Sequence, residues 1–243
     1  MQWRRALFIQ MLRTPPPSLL ALPEMEMETF YEGWVAEQER ILELLVAAPR
    51  DRPDLHVPLV ARALAHYDGY RLRRSRVADR DVLRAFDPRW LTPLERSFIW
   101  IAGWKPALAF RFVPRDGGVD DEAGGRAAVE ELRREVAEEE RALAAAMARV
   151  QEGLAAPAVV EAVRRPGRNG EERANAAAAV EDSLRRLLDA ADALRARTVR
   201  TIVDVLQPWE AVRFLAAAAQ FHLGLRRAGL QQRYNETRRA AVG

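Results

Sequence analysis

The sequence contains no cysteine among its 243 residues, which excludes disulfide bridges, cysteine-based zinc sites and a thiol nucleophile. It also contains a single lysine, Lys105, although lysine and arginine together number 38, so nearly every cation is an arginine. The 35 acidic residues leave a formal net charge of only +3, and acids and bases are interleaved, most densely over residues 126–149. This pattern is typical of solvated helix faces and not of the unopposed basic patch that binds nucleic acid.

Long apolar runs are absent as well. No stretch of about 18 residues is free of charge, so the sequence predicts no membrane-spanning helix. The first 23 residues contain three arginines and no acidic residue. The triplet Pro15-Pro16-Pro17 ends any helix in this segment. We interpret residues 1–26 as a disordered or atypical N-terminal extension, with an organellar targeting segment as the alternative.

The common catalytic motifs are missing too. The chain has no GxGxxG, GxxxxGK[ST], HExxH or GxSxG motif. Its three histidines, His56, His66 and His222, are too far apart in sequence for one helix to offer two of them to a metal. Residues 114–125 form a Gly- and Asp-rich loop that lacks the alternating ligands of a calcium loop. We therefore expect neither an enzyme nor a metal site.

What the sequence does contain is helical periodicity. Apolar residues recur every three or four positions, which predicts helices over about 24–48, 54–76, 79–86 and 122–155, a long helix that includes residues 180–205, and a last helix that begins at Pro208. Residues 164–170 form a linker between the two longest helices. The tryptophans fall in helical or near-helical contexts, and we interpret them as core residues.

The clearest local signal is Thr92-Pro93-Leu94-Glu95. Thr92 can cap a helix, proline suits the first helical position, and Glu95 can reach back to the cap amide. We expect a helix to begin there and to carry Phe98, Ile99 and Trp100 into the core. Gly103 would interrupt it, and Pro106 would open a further short helix through residue 112.

No alternating β pattern is present, so the sequence predicts an all-α fold. We expect a single helical bundle-like domain over residues 27–228, with long antiparallel helices and a cluster of short helices, followed by a flexible tail over residues 229–243. The long helix over 122–155 carries a near-heptad seam that runs from Val129 to Leu154. This seam would pack within the domain or against a second copy in a homodimer.

Several short segments follow one another in a distinctive order between residues 27 and 228. They are His66-Tyr67-Asp68, Asp81-Val82, Trp90, Thr92-Pro93-Leu94-Glu95-Arg96, Trp100-Ile101-Ala102-Gly103-Trp104-Lys105-Pro106 and Ala191-Asp192-Ala193-Leu194-Arg195 with Thr198, preceded by Phe30, Trp34 and Gln38. In this order they resemble the plant domain shared by Delay-of-Germination proteins and TGA-type bZIP transcription factors, and most of all its stand-alone Delay-of-Germination-like members.

The resemblance implies a helical, non-enzymatic regulator in seed dormancy, hormone response or transcription. It implies a location in the nucleus, with the cytoplasm as a second compartment. From the lack of a long apolar run we expect no association with membranes. The implied partners are regulatory proteins such as type 2C phosphatases or transcription co-regulators.

The resemblance also brings two alternatives. The first is sequence-specific DNA binding of the TGA type, which in that family belongs to a basic-zipper helix. Here the best candidate, Asn175, is followed by four alanines and then by Ser183 where the motif requires arginine. The second is a haem sensor, since some family members are described as binding haem through two histidines four residues apart. His222 matches the first of these, but the second position is Arg226, which cannot ligate iron.

Overall fold

The computed structural model describes residues 21–114, 125–154 and 170–240. Its helices are α1 (Ala21–Ala47), α2 (Pro53–Arg80), α3 (Val82–Phe86), α4 (Pro93–Ser97), α5 (Gly125–Leu154), α6 (Gly170–Val205) and α7 (Pro208–Ala240). A two-stranded hairpin, β1 (Ile99–Trp100) and β2 (Gly103–Trp104), and a 3₁₀ helix (Pro106–Arg111) lie between α4 and α5. The fold is all-α, as the sequence predicts.

Helices α5 and α6 pack along each other over much of their length. Val150 on α5 lies in one apolar cluster with Leu184 near the middle of α6, whereas Val129 lies in another with Leu206 just beyond the end of α6. Between these two clusters, Arg197 forms an ion pair with Glu139. Because residue numbers rise along one helix as they fall along the other, the pair is antiparallel.

This packing decides where the near-heptad seam of α5 lies. Val129, Leu132 and Val136 are buried in the main apolar core of the same chain. The described part of the seam therefore packs within the domain, mainly against α6. The end of the seam at Leu154 has no described side chain.

Helices α1, α2 and α7 form the second group, and their contacts bury aromatic as well as aliphatic side chains. Met27, Tyr31 and Trp34 of α1 lie in one cluster with Trp90, Leu91 and Ile99. Met27 is only 1% exposed, and α1 begins at Ala21, inside the segment that the sequence analysis assigned to an N-terminal extension. Helix α7 is continuous through Ala240, beyond residue 228, and its residues from Leu230 onward are exposed.

The region after Thr92 differs from the prediction. The capping box is present, since the Thr92 side chain accepts from the Glu95 amide and the Glu95 side chain accepts from the Thr92 amide. The helix nevertheless ends at Ser97, Phe98 is 43% exposed, and the chain turns back as a hairpin in which Ile99 pairs with Trp104. The expectation that this helix carries Phe98, Ile99 and Trp100 into the core is wrong, although Ile99 is buried from its place in the hairpin.

Two further sequence expectations concern other parts of the chain. The Gly- and Asp-rich loop and the linker lie almost entirely outside the described residues. None of the helices in the described ranges is both long and apolar enough to cross a bilayer.

Candidate functional site

The hairpin contains an unusual turn that two arginines hold in place. Ile101 and Ala102 have φ values of 41° and 57°, a left-handed conformation that costs a residue with a Cβ roughly 1–2 kcal/mol. Arg195 on α6 donates to the carbonyl oxygens of Trp100 at 2.6 Å and Ile101 at 2.8 Å. Arg74 on α2 donates to the carbonyl of Ala102. These bonds stabilise a turn that the local sequence disfavours.

The same two arginines share one carboxylate. Asp192 accepts from Arg74 and, at 2.7 Å, from Arg195, and the side chains of Arg74 and Asp192 are 4% and 7% exposed. Burial and the neighbouring Arg74 charge lower the pKa of Arg195 to about 10, so it remains a cation at neutral pH. The cluster thus buries two positive charges and one negative charge.

The hairpin also approaches these guanidinium groups closely. A Cβ added at Gly103 would lie 2.8 Å from Cζ of Arg195 and 2.8 Å from Nη1 of Arg74. A larger residue at this position would therefore displace the arginines.

A second polar network surrounds Glu95, whose side chain is 1% exposed. Its carboxylate accepts from the Tyr31 hydroxyl at 2.7 Å, from the Thr92 amide at 2.7 Å and from Arg226 on α7 at 3.2 Å. Burial alone raises the pKa of a carboxyl, but His222, whose Nε2 lies 3.8 Å from Oε1 of Glu95, and the hydrogen bonds from Thr92 and Tyr31 outweigh it and lower the pKa of Glu95 from the ordinary 4.5 to about 2. Glu95 is therefore ionised in the folded protein at neutral pH.

His222, the candidate haem ligand, belongs to this network. Its Nε2 lies 3.0 Å from the hydroxyl oxygen of Tyr31, and the residue is 7% exposed. Because Tyr31 donates its only hydroxyl hydrogen to Glu95, the contact is satisfied when Nε2 of His222 carries a hydrogen. A protonated ring nitrogen does not ligate iron, and Arg226, one turn further on, is engaged with Glu95. Nε2 of His222 and the side chain at position 226 are thus both engaged within the protein, which does not fit a haem held through these two positions.

A cavity of about 250 Å³ lies between the two polar networks. Its walls are mostly apolar and aromatic, with contributions from Trp34, Tyr67, Tyr70, Trp104, Phe112 and Phe214. Tyr31, Glu95 and His222 lie at one part of the wall, and Arg74, Asp192 and Arg195 at another. The aromatic side chains that the sequence pattern predicts to be core residues thus also line this cavity.

The other histidines and the DNA-reading candidate do not join this site. His56 lies 2.8 Å from the Pro49 carbonyl oxygen, and His66 stacks on Trp34 with ring centroids 4.4 Å apart. Asn175 is exposed on α6. No group of three or more potential metal ligands occurs in the described parts of the chain.

Sequence reasoning missed the arginine cluster for a specific reason. Asp192 and Arg195 are three residues apart, a spacing that on an amphipathic helix is typical of an exposed ion pair. The signal that could have identified them is their position beside Ala191 and Leu194, which are fully buried, so that this part of α6 faces the core on more than one side. Their partner Arg74 is 118 residues away from Asp192 and leaves no local signal.

Comparison with known proteins places this chain in a family. Residues 40–114 match the family model DOG1, described as "Seed dormancy control". Over 88% of its length the chain is 33% identical to Protein DOG1-like 4 of Arabidopsis thaliana, of which it covers 96%. It is 30% identical to Protein ZW2 of the same species, covering 83% of this chain and 95% of that protein. A shorter match, 35% identical over 106 residues, covers 41% of this chain and 27% of Transcription factor TGAL10 of Oryza sativa subsp. japonica.

Proposed function

Since the chain belongs to the DOG1-like family, we propose that it is a non-enzymatic plant regulator that acts by binding other proteins in seed dormancy, hormone response or transcription. The observation that carries this proposal is the extent of the similarity. It spans 88% of this chain and 96% of Protein DOG1-like 4, so the shared feature is the whole helical domain and not one small motif.

The buried charges are consistent with a structural use. Glu95 is held by Tyr31, Thr92 and Arg226, and Asp192 is held by two arginines. Each of these two carboxylates accepts hydrogen bonds from residues on distant helices, and these bonds hold the helices together. A protein of this kind acts through its surface, and its polar core fixes the relative positions of the helices that form that surface.

The exposed apolar side chains on either side of the turn between α1 and α2 are a suitable place to test for partner binding. Val46, near the end of α1, is 60% exposed, and Val57, near the start of α2, is 62% exposed. Leu55, which also lies near the start of α2, is 38% exposed. These residues flank one short turn, over residues 48–52, and exposed apolar side chains are candidates for contact with a partner protein.

The partners we propose are type 2C phosphatases and transcription co-regulators, and the compartment is the nucleus, with the cytoplasm as a second location. The experiment is a pull-down from seed or seedling extract in mild salt, followed by purified phosphatase and co-regulator candidates. Val46→Glu with Val57→Glu should abolish capture if the turn between α1 and α2 is the docking surface. Leu72→Glu is the matched control, because Leu72 is 52% exposed on α2 but more than four turns from Val57 in that helix.

Failure to recover any phosphatase, kinase or transcription partner would contradict the proposal. Capture that survives the double substitution would keep the proposed role and place the surface elsewhere. Direct reading of DNA is a separate function with less support, since the alanine-rich segment after Asn175 gives that part of α6 no basic surface. It would be indicated by a shift of a TGACG-containing duplex that weakens as salt rises.

A further inference from the structure

All eight charged side chains that line the cavity already form ion pairs within the protein. Asp192 holds both Arg74 and Arg195. Glu95 is paired with Arg226 at 3.2 Å. The other pairs are Asp68 with Arg71, Asp68 with Arg200, and Lys105 with Glu140. A charged ligand would therefore leave water without meeting an unengaged partner of opposite charge on this wall.

The hydroxyl groups of the lining tyrosines are engaged as well. Tyr31 donates to Glu95 at 2.7 Å. The hydroxyl oxygens of the other two accept hydrogen bonds, Tyr67 from Gln38 and Tyr70 from Trp90. What the wall offers to a ligand is therefore mainly apolar surface.

The cavity extends from the surface of the protein into its core. Lys105 and Arg200 on its wall have side chains that are 56% and 49% exposed, whereas Phe214 and Leu215 are only 1% exposed. The exposed members of the lining mark an opening between α6 and the start of the 3₁₀ helix. A small molecule in solvent can thus reach the apolar interior.

The volume limits the ligand to a compact molecule. An apolar protein cavity of about 150 Å³ binds benzene, so about 250 Å³ accommodates a molecule somewhat larger than one ring. A long acyl chain exceeds this volume. Because an ordered water needs several polar partners, a wall of this composition suits an apolar occupant better than water.

Aromatic rings surround the space from several elements. They come from α1, α2, β2 and α7, and examples are Trp34, Tyr67, Trp104 and Phe214. Contacts between aromatic rings are favourable beyond the apolar area that they bury. These walls therefore favour a flat aromatic ligand over a saturated one of the same size.

We propose that this cavity binds a compact, uncharged aromatic molecule of about two fused rings, held by its apolar surface and not by an ion pair. The inference goes beyond the proposed regulatory function and does not depend on it. It assigns a small-molecule site to a domain whose proposed partners are proteins.

The test is equilibrium dialysis of the full chain at pH 7 with 2-acetylnaphthalene, 2-naphthoate and palmitate. The first two differ only in a methyl group that replaces a charged oxygen. We expect 2-acetylnaphthalene to bind at least about tenfold more tightly than 2-naphthoate, because burying an unpaired charge costs more than burying a neutral carbonyl. We expect palmitate to bind more weakly than 2-acetylnaphthalene. No binding of 2-acetylnaphthalene up to its solubility limit, a smaller preference over 2-naphthoate, or tighter binding of palmitate would each overturn the proposal.

Variants that fill the cavity then locate the site. Ala196 on α6 lines the cavity, and Ala196→Leu adds an isopropyl group to that part of the wall. It should weaken binding of 2-acetylnaphthalene by about tenfold or more, because the ligand and the added group compete for one space. Ala193→Leu is the matched control, since Ala193 is exposed on the same helix and does not line the cavity. It should leave the affinity unchanged.

A second filling variant approaches the cavity from another helix. Ala218 on α7 also lines it, and Ala218→Leu should weaken binding in the same way. Thermal melts establish which variants are folded, and if one filling variant does not fold, the other carries the test. Unchanged binding of 2-acetylnaphthalene to folded Ala196→Leu or to folded Ala218→Leu, or an equal loss in Ala193→Leu, would overturn the proposal.

Discussion

Arg195 donates its Nε–H to the carbonyl oxygen of Trp104 at 2.7 Å, across 91 residues of sequence. Its terminal nitrogens hold Trp100, Ile101 and Asp192, so one guanidinium joins both strands of the hairpin to α6. The fixed planar shape of the group makes this possible, because its donors point in several directions at once. The hairpin therefore owes its position to a residue on another element.

The first prediction is that Arg195→Lys destabilises the protein by roughly 3–5 kcal/mol, the range for breaking a buried ion pair. A lysine keeps the charge but cannot supply donors to the hairpin carbonyls and to Asp192 simultaneously. Chemical denaturation followed by circular dichroism measures the change. Arg197→Lys is the control, since Arg197 is 50% exposed and should change the free energy of unfolding by less than about 0.5 kcal/mol. Similar effects of both substitutions would contradict the role given to Arg195.

The second prediction concerns the left-handed turn. Ala102→Gly relieves a conformation that costs roughly 1–2 kcal/mol, but it removes a buried methyl group and adds freedom to the unfolded chain. We expect these effects to offset one another to within about 1 kcal/mol. Ala191→Gly, at an equally buried position in α6, has no strain to relieve and should cost roughly 1–2 kcal/mol. Equal losses in the two denaturation curves would show that the turn carries no strain.

This turn also marks the limit of what the sequence could predict. The Thr92–Glu95 cap, the long helices and the all-α class follow from local periodicity and capping, and the structure confirms them. A two-residue hairpin turn is normally recognised by Asn-Gly or a similar pair, whereas here Ile101 and Ala102 occupy it. The energy that compensates comes from Arg74 and Arg195, which no local window of sequence includes.

The candidate site was hidden for the same reason. Tyr31, Glu95 and His222 come from three distant segments, and nothing in the spacing of any one of them indicates that they meet. The aromatic residues were correctly expected to be largely buried, but periodicity gives no information about whether buried side chains close up or leave a cavity. Sequence patterns predict which faces pack, and the space between them depends on three-dimensional shape.

The third prediction is a pH effect at Glu95. Its pKa is about 2 in the folded protein and about 4.5 in an unfolded chain, so its contribution to stability is present above pH 4.5 and is lost as the pH falls toward 2. A difference of this size corresponds to about 3 kcal/mol. Glu95→Gln should therefore lower the free energy of unfolding by about 3 kcal/mol at pH 7 and by progressively less between pH 4.5 and 2.

Denaturant titrations at several pH values measure this difference. Glu43→Gln is the control, because Glu43 is exposed on α1 and its substitution should have little effect at any pH. A constant difference between parent and Glu95→Gln across the acid range would mean that Glu95 does not titrate in the way described.

The fourth prediction concerns His66, which stacks on Trp34 at a centroid distance of 4.4 Å. Its Nε2 is buried without a hydrogen-bond partner, and burial is the main cause that lowers its pKa from 6.5 to about 4. The ring should titrate near pH 4 in an NMR experiment on the folded protein and near 6.5 in urea. Because the unfolded chain takes up the proton first, stability should fall as the pH decreases from 6.5 to 4. A midpoint near 6.5 in the folded state would contradict the buried placement.

The last prediction uses two glycines of α7 as a matched pair. A Cβ added at Gly229 would lie 2.8 Å from Cβ of Thr92, whereas a Cβ at Gly224 would have no neighbour within 4 Å. Gly229→Ala should therefore destabilise the protein by about 1–3 kcal/mol, since α7 must move away from the Thr92 cap and from the Glu95 network beside it. Gly224→Ala should stabilise it by about 0.5–1 kcal/mol, because alanine favours the helix and meets no obstacle. Thermal and denaturant unfolding measure both, and effects of the same sign would contradict the close approach of α7 to the cap. The opposite signs are informative because helix propensity favours alanine equally at both sites, so only the contact with Thr92 distinguishes them.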